Sequence, residues 1–252
     1  MAETSLIRGA GPPGAVAIIV AAGRGRRLGG GTPKQYLPLN GPCALRRSVE
    51  TFLGHPRIDA VRTVIHPDDR ELHDAALAGL DDPKLLPAVH GGASRAHSVR
   101  LGLEAFETVR PARVVVHDAA RPFVPAAVIE GVVTALDSCD GASAAVPIVD
   151  ALWQVEHGRA QQPVPREGLW RAQTPQGFAF DRLLAAHRMG DGSAADDVAV
   201  ARAAGIEVAL VEGHEGNYKI TTAADLARAL SETAPTGACE PTVIDQQTAQ
   251  RV

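Results

Sequence analysis

The chain has 252 residues, 45% of them hydrophobic, 21% charged and 4% aromatic, enough to bury a sizeable core as one mid-sized domain or two small ones. Its formal net charge of −4 excludes a polycation that binds nucleic acid through bulk charge. Cys43, Cys139 and Cys239 stand far apart with neither CxxC nor Cys/His ligand spacing, which argues against a disulfide framework and against a zinc site.

Residues 1–14, "MAETSLIRGAGPPG", lack the apolar middle of a signal peptide and read as a flexible N-terminus. The apolar run that follows, Ala15 to Ala22, falls far short of the roughly 20 residues of a membrane span. The chain therefore reads as cytoplasmic. Short β-branched or apolar runs predict strands at Val16–Val20, Val61–Ile65, Leu85–Val89, Arg113–Val116, Ala144–Ile148 and Val208–Val211. Between them, Leu45, Val49, Phe52 and Leu53 share one helical face, as do Val128, Ile129, Val132, Val133 and Leu136. Strands alternating with helices, and strands that are nearly continuous apolar runs, predict a three-layer α/β domain around a mostly parallel sheet. From about 150 to 175 the rhythm breaks into "DALWQVEHGRAQQPVPREGLWRAQTP", a hairpin-like excursion with two tryptophans. The stretch 231–252 reads as a flexible tail or linker.

In an open α/β sheet, ligands bind at the carboxyl ends of the strands. After the first strand come Gly23, Arg24, Gly25, Arg26, Arg27 and then Lys34. Glycines let backbone N–H groups approach a phosphate, and Arg and Lys neutralise its charge, so the expected guest is a polyphosphate. Two familiar motifs fail: GxGxxG needs glycine where Leu28 stands, and the P-loop needs Gly-Lys-Ser/Thr where Pro33, Lys34 and Gln35 stand. What remains, G-x-G-x-R-L followed by P-K, is a nucleotidyltransferase pattern.

Over roughly residues 15–230 the chain resembles the 2-C-methyl-D-erythritol 4-phosphate cytidylyltransferase family of the non-mevalonate isoprenoid pathway. The resemblance rests on "AAGRGRRL", "PKQYLPL", "HGGASRAHSVRLGL", "HDAARPFV", "GLWRAQTPQGF" and "NYKITT", in that order. The first two blocks are shared with other nucleotidyltransferases; the later ones narrow the likeness to this family. It implies a Rossmann-like nucleotidyltransferase fold with a protruding β-arm, Mg²⁺ as cofactor, CTP and methylerythritol phosphate as substrates, and transfer of CMP with release of pyrophosphate. It also implies a homodimer whose 150–175 arm completes the partner's site. In some members a cyclodiphosphate synthase is fused to the enzyme, and the tail could be a remnant of such a linker.

By the same resemblance, Arg27 and Lys34 contact the triphosphate and stabilise the transition state, and Asp118 holds the metal. Ala21, Ala22, Gly23 and Ala119 line the nucleotide. Gly91, Gly92 and Ser98 form the cytosine and ribose pocket, while Arg166, Thr174 and Lys219 hold the acceptor phosphate. Some positions have a plainer reading as well: Arg24, Arg26 and Arg27 as a solvated face, Asp118 as the cap of a turn, Ser98 as a helix cap, Thr174 as a turn hydroxyl. His117 is expected to pack, the two tryptophans to pack the arm, and Asp196 and Asp197 to sit at a helix N-terminus. The chain departs from the family at Ala93, often acidic there, and at Ala151 and Ala195, where threonine is common. Competing activities are a cytidylyltransferase for ribitol 5-phosphate or another sugar phosphate, and a non-catalytic nucleotide-binding regulator.

Overall fold

The computed structural model describes residues 14–24 and 31–234. Strands β1 (Ala15–Ala21), β2 (Ile58–Ile65), β3 (Leu85–His90), β4 (Arg113–Asp118), β5 (Gly141–Pro147), β8 (Trp170–Ala179) and β9 (Ala209–Glu212) form a seven-stranded sheet in the order β3-β2-β1-β4-β8-β5-β9. Its pairings are parallel except for those of β8, which runs antiparallel to both β4 and β5. The mostly parallel sheet expected from the alternation is therefore present.

Helices α1 (Ala44–Leu53) and α4 (Ala126–Ala135) cover one face of the sheet; α3 (Arg95–Glu104), α5 (Phe180–Met189) and α6 (Asp197–Ala203) cover the other. The faces read from the periodicity are the buried ones: Leu45, Val49 and Phe52 on α1, and Ile129, Val132 and Val133 on α4, are fully enclosed. Burying one such side chain is worth about 1.5–3 kcal/mol. Alternate residues of β1 feed the two clusters, Ala17 and Ile19 on one side, Val16 and Ile18 on the other. Enclosure on both faces explains why "AVAIIVA" is an unbroken apolar run. A short α2 (Arg70–Ala76) follows β2, and α7 (Ala223–Glu232) closes the described chain behind a capping box of Thr222 and Asp225.

The excursion is a two-stranded hairpin, β6 (Leu152–Glu156) against β7 (Arg159–Val164). His157 and Gly158 turn it with φ of 49° and 76°, the paired left-handed residues that a tight hairpin requires. The tryptophans do not pack the arm as expected: Trp153 is 54% exposed and Trp170 45% exposed. Among the described residues, the two-stranded ribbon that carries Trp153 has no second layer to receive it, and Trp170 stands at the exposed start of β8. The sequence reading also passed over β8. Its interior, Gln173-Thr174-Pro175-Gln176-Gly177, has neither alternation nor β-branched enrichment, and pairing on both edges makes it a strand.

Candidate active site

The carboxyl ends of β1 and β4 lie side by side, since Val20 pairs with Asp118. A cavity of about 510 Å³ opens there, lined by Ala21, Ala22, Gly23, Lys34, Ser98 and Asp118, with Arg24, Arg95 and Lys219 among its other walls. The structure thus gathers at one place residues that the sequence spreads over two hundred positions. Gly92 and Ala119 also line it.

Each wall has a local cause. Lys34 opens a single 3₁₀ turn, Lys34–Tyr36, whose Gln35 and Tyr36 are buried and so anchor it. Arg24 pairs with Asp68 and, at 3.0 Å, with buried Asp69, so its guanidinium is tied to the segment after β2. Gly91 has no room for a side chain: a Cβ there would sit 2.6 Å from the Ala22 Cβ and 2.7 Å from the Ser98 Oγ. Ser94, not Ser98, caps α3 by accepting the His97 N–H. The Ser98 hydroxyl donates to the Ser94 carbonyl at 2.9 Å and accepts the Gly92 N–H at 3.1 Å, fixing the wall of the cavity from behind.

Asp118 ends β4 almost fully buried, among cations. Its carboxylate lies 3.1 Å from Arg95 Nε, 2.8 Å from Lys219 Nζ and 3.9 Å from Arg121 Nε. Burial alone would raise its pKa, but the charges of Arg95 and Lys219 outweigh burial and hold it well below the usual carboxylate range. Arg95 continues the chain of charges, donating at 2.8 Å to fully buried Asp197, which also accepts from His187 Nε2 at 3.0 Å. Asp196 caps α6 as expected, accepting the Ala199 N–H, whereas Asp197 points inward. Arg95 and Asp197 are the site residues that the sequence reading missed. One resembles a helix-surface cation and the other a helix-start acid, until two elements 102 residues apart meet.

Behind Asp118, the Thr174 hydroxyl oxygen accepts the Asp118 N–H at 3.1 Å and donates to His117 Nδ1 at 3.1 Å. His117 Nε2 in turn donates to the Arg121 carbonyl at 3.1 Å. Thr174 is thus buried beneath the cavity floor, not on its lining. His117 packs as expected, its ring 4.9 Å from that of Phe52. Arg121 braces the loop by donating to the Asn217 carbonyl at 2.7 Å. Arg166 stands away from the cavity on the exposed arm, bonded to the Val149 carbonyl. Arg27 lies outside the described residues.

Burial pushes the His117 imidazole down to about 4, against the opposing pull of the Arg121 carbonyl and the Asp118 charge. Above pH 6.5, its ordinary value, the ring is neutral in both folded and unfolded chains. As the pH falls toward 4, only the unfolded chain takes up the proton, so stability falls. The expected loss is about 3 kcal/mol between pH 6.5 and 4. Urea denaturation at several pH values checks this, and His117→Gln should flatten that part of the profile.

Among the described residues, no group of three or more His, Cys, Asp or Glu side chains sits together as a metal cage, and Asp118 is the one carboxylate on the cavity lining. Mg²⁺ is usually held by one or two carboxylates together with substrate phosphates and water. The donor set therefore fits an ion that arrives with a polyphosphate.

The family model described as IspD, 2-C-methyl-D-erythritol 4-phosphate cytidylyltransferase, matches residues 15–232. A bifunctional enzyme IspD/IspF of Rhodospirillum rubrum is 53% identical over 214 residues, covering 84% of this chain and 55% of that protein. The chain thus spans about half the length of this relative. A 2-C-methyl-D-erythritol 4-phosphate cytidylyltransferase of Cereibacter sphaeroides is 51% identical over 213 residues, 84% of this chain and 94% of that one. The crystal structure of 2-C-methyl-D-erythritol 4-phosphate cytidylyltransferase from Thermus thermophilus superposes with a TM-score of 0.70 at 30% identity, covering 86% of this chain and 98% of that one.

Proposed function

Because the chain belongs to the 2-C-methyl-D-erythritol 4-phosphate cytidylyltransferase family, we propose that it transfers CMP from CTP to 2-C-methyl-D-erythritol 4-phosphate and releases pyrophosphate. The observation that carries this reading is the cavity at the ends of β1 and β4, whose lining holds Arg24, Lys34, Arg95 and Lys219 and a single carboxylate, Asp118. A phosphate monoester has a second pKa of about 6, so the acceptor enters already ionised and needs no base. The difficulty is bringing it to an anionic triphosphate while charge gathers on the oxygens around the α-phosphorus. Cations held in place before the reaction meet that need directly.

In this reading Lys34, with Arg27, stabilises the transition state, and the backbone at Ala21, Ala22 and Gly23 lines the nucleotide beside Ala119. Gly91, Gly92 and Ser98 border the cytosine. Lys219 turns from Asp118 toward the acceptor phosphate, and Thr174 supports Asp118 from below. Asp118 would hold Mg²⁺ borne by the triphosphate; when bound, the ion neutralises charge on the phosphate oxygens. Arg166 acts on the acceptor phosphate in a partner subunit. The exposed Trp153, Val155 and Trp170 on and beside the hairpin support an arm that a second copy covers. No described helix is long and apolar enough to cross a membrane. The free thiols of Cys43 and Cys139 suit the reducing cytoplasm.

The test is pyrophosphate release measured across acceptors. Release is expected with CTP, Mg²⁺ and methylerythritol phosphate together, and not when any one is omitted. Comparable rates with ribitol 5-phosphate would overturn the acceptor assignment, and CTP binding without turnover would favour a regulator.

A further inference from the structure

Gln35 stands where a P-loop would place Ser or Thr, and the roles assigned above leave it unused. It is 3% exposed and lies on the cavity wall directly after Lys34. Its side-chain amide donates at 2.6 Å to the Ala21 carbonyl and at 3.1 Å to the Gly23 carbonyl. Both acceptors belong to the segment that leaves β1 and lines the same cavity.

We propose that Gln35 is a positioning residue for nucleotide binding, which turns the carbonyls of Ala21 and Gly23 away from the triphosphate and locks this segment to the turn that carries Lys34. The inference rests on the nucleotide reading of the cavity. In a planar trans peptide the C=O and N–H point in opposite directions. Holding the Ala21 and Gly23 carbonyls on Gln35 therefore turns the N–H groups of Ala22 and Arg24 away from it. The negative ends of two peptide dipoles are covered by N–H donors, in a cavity whose guest is a polyanion. Because Gln35 follows Lys34, the same contact fixes the ammonium-bearing turn against the backbone that cradles the phosphates. Neither Ser nor Thr, the P-loop residues, has the reach to span two carbonyls separated by a residue, whereas a primary amide offers two N–H donors.

Gln35→Met and Gln35→Glu keep the side-chain length and test this by calorimetric CTP binding and steady-state kinetics. Gln35→Met is expected to weaken CTP binding at least tenfold. Gln35→Glu, which faces two carbonyls with a carboxylate, should weaken it further. The KM for the acceptor should change less than threefold in both. A merely structural role would shift CTP and acceptor parameters together, and that result would overturn the proposal. So would CTP binding within threefold of the parent in both variants. If the parent itself fails to bind CTP, the nucleotide reading falls and takes this inference with it. A crystal structure of the parent with CTP gives a test that needs no variant: the Gln35 amide should remain on both carbonyls. An amide that leaves them to bond the nucleotide itself would overturn the positioning role.

Discussion

Lys34→Ala is expected to lower the single-turnover rate about 10²–10³-fold, the scale at which one preorganised donor to a developing oxyanion acts. The affinity for CTP should change far less. Lys34 begins a single turn whose next two side chains are buried, so its position is set before substrate arrives. A cation held that way needs little reorganisation as charge moves onto the phosphate oxygens, and its contribution appears in the rate. Arg24 lines the same cavity with its guanidinium already paired with Asp68 and Asp69, so Arg24→Ala should cost little. Kinetics under conditions of excess enzyme separate the two, and a Lys34→Ala variant that loses only CTP affinity would contradict the assignment.

Asp118→Ala is expected to be strongly destabilising. The carboxylate is shared by Arg95, Lys219 and Arg121, and it is the cavity-side end of a chain that runs through Arg95 to buried Asp197. Removing one partner of a buried pair costs about 3–5 kcal/mol, because Arg95 and Arg121 lose a counter-ion without regaining water, whereas Lys219, 35% exposed, loses less. In a chain of this size that loss lowers the melting temperature by about 10 °C. Turnover should disappear as well. Asp118→Asn preserves the shape and one carbonyl acceptor but not the charge, so it should recover only part of the stability and little of the activity. Equal melting temperatures for parent and Asp118→Ala would show that the cations do not depend on this carboxylate.

How much of this could be read from the sequence depends on whether a feature is local. β1, β2 and β4 were legible because strands buried on both faces are continuous apolar runs, and Asp118 was conspicuous as a charge ending one of them. That Gly23 and Lys34 share one cavity was legible too, since the motif they belong to is written in nearby residues. β8 was not, because its strand character comes from its neighbours β4 and β5. Nor was the inward role of Asp197: its partners Arg95 and His187 arrive from other helices, and alone it is indistinguishable from an acid favouring a helix start. Thr174 marks the same boundary. A hydroxyl before proline has many uses, and only the approach of β4 directs this one to the Asp118 N–H.

In the proposed reaction, fixed cations and backbone amides make two anions react without a proton in flight. His66 is the one histidine on the described cavity lining, and its Nδ1 already accepts the Asp68 N–H. The solvent deuterium isotope effect on the single-turnover rate tests the claim most directly. An effect indistinguishable from unity is expected, unchanged in His66→Gln. A substantial normal effect that His66→Gln abolishes would contradict it.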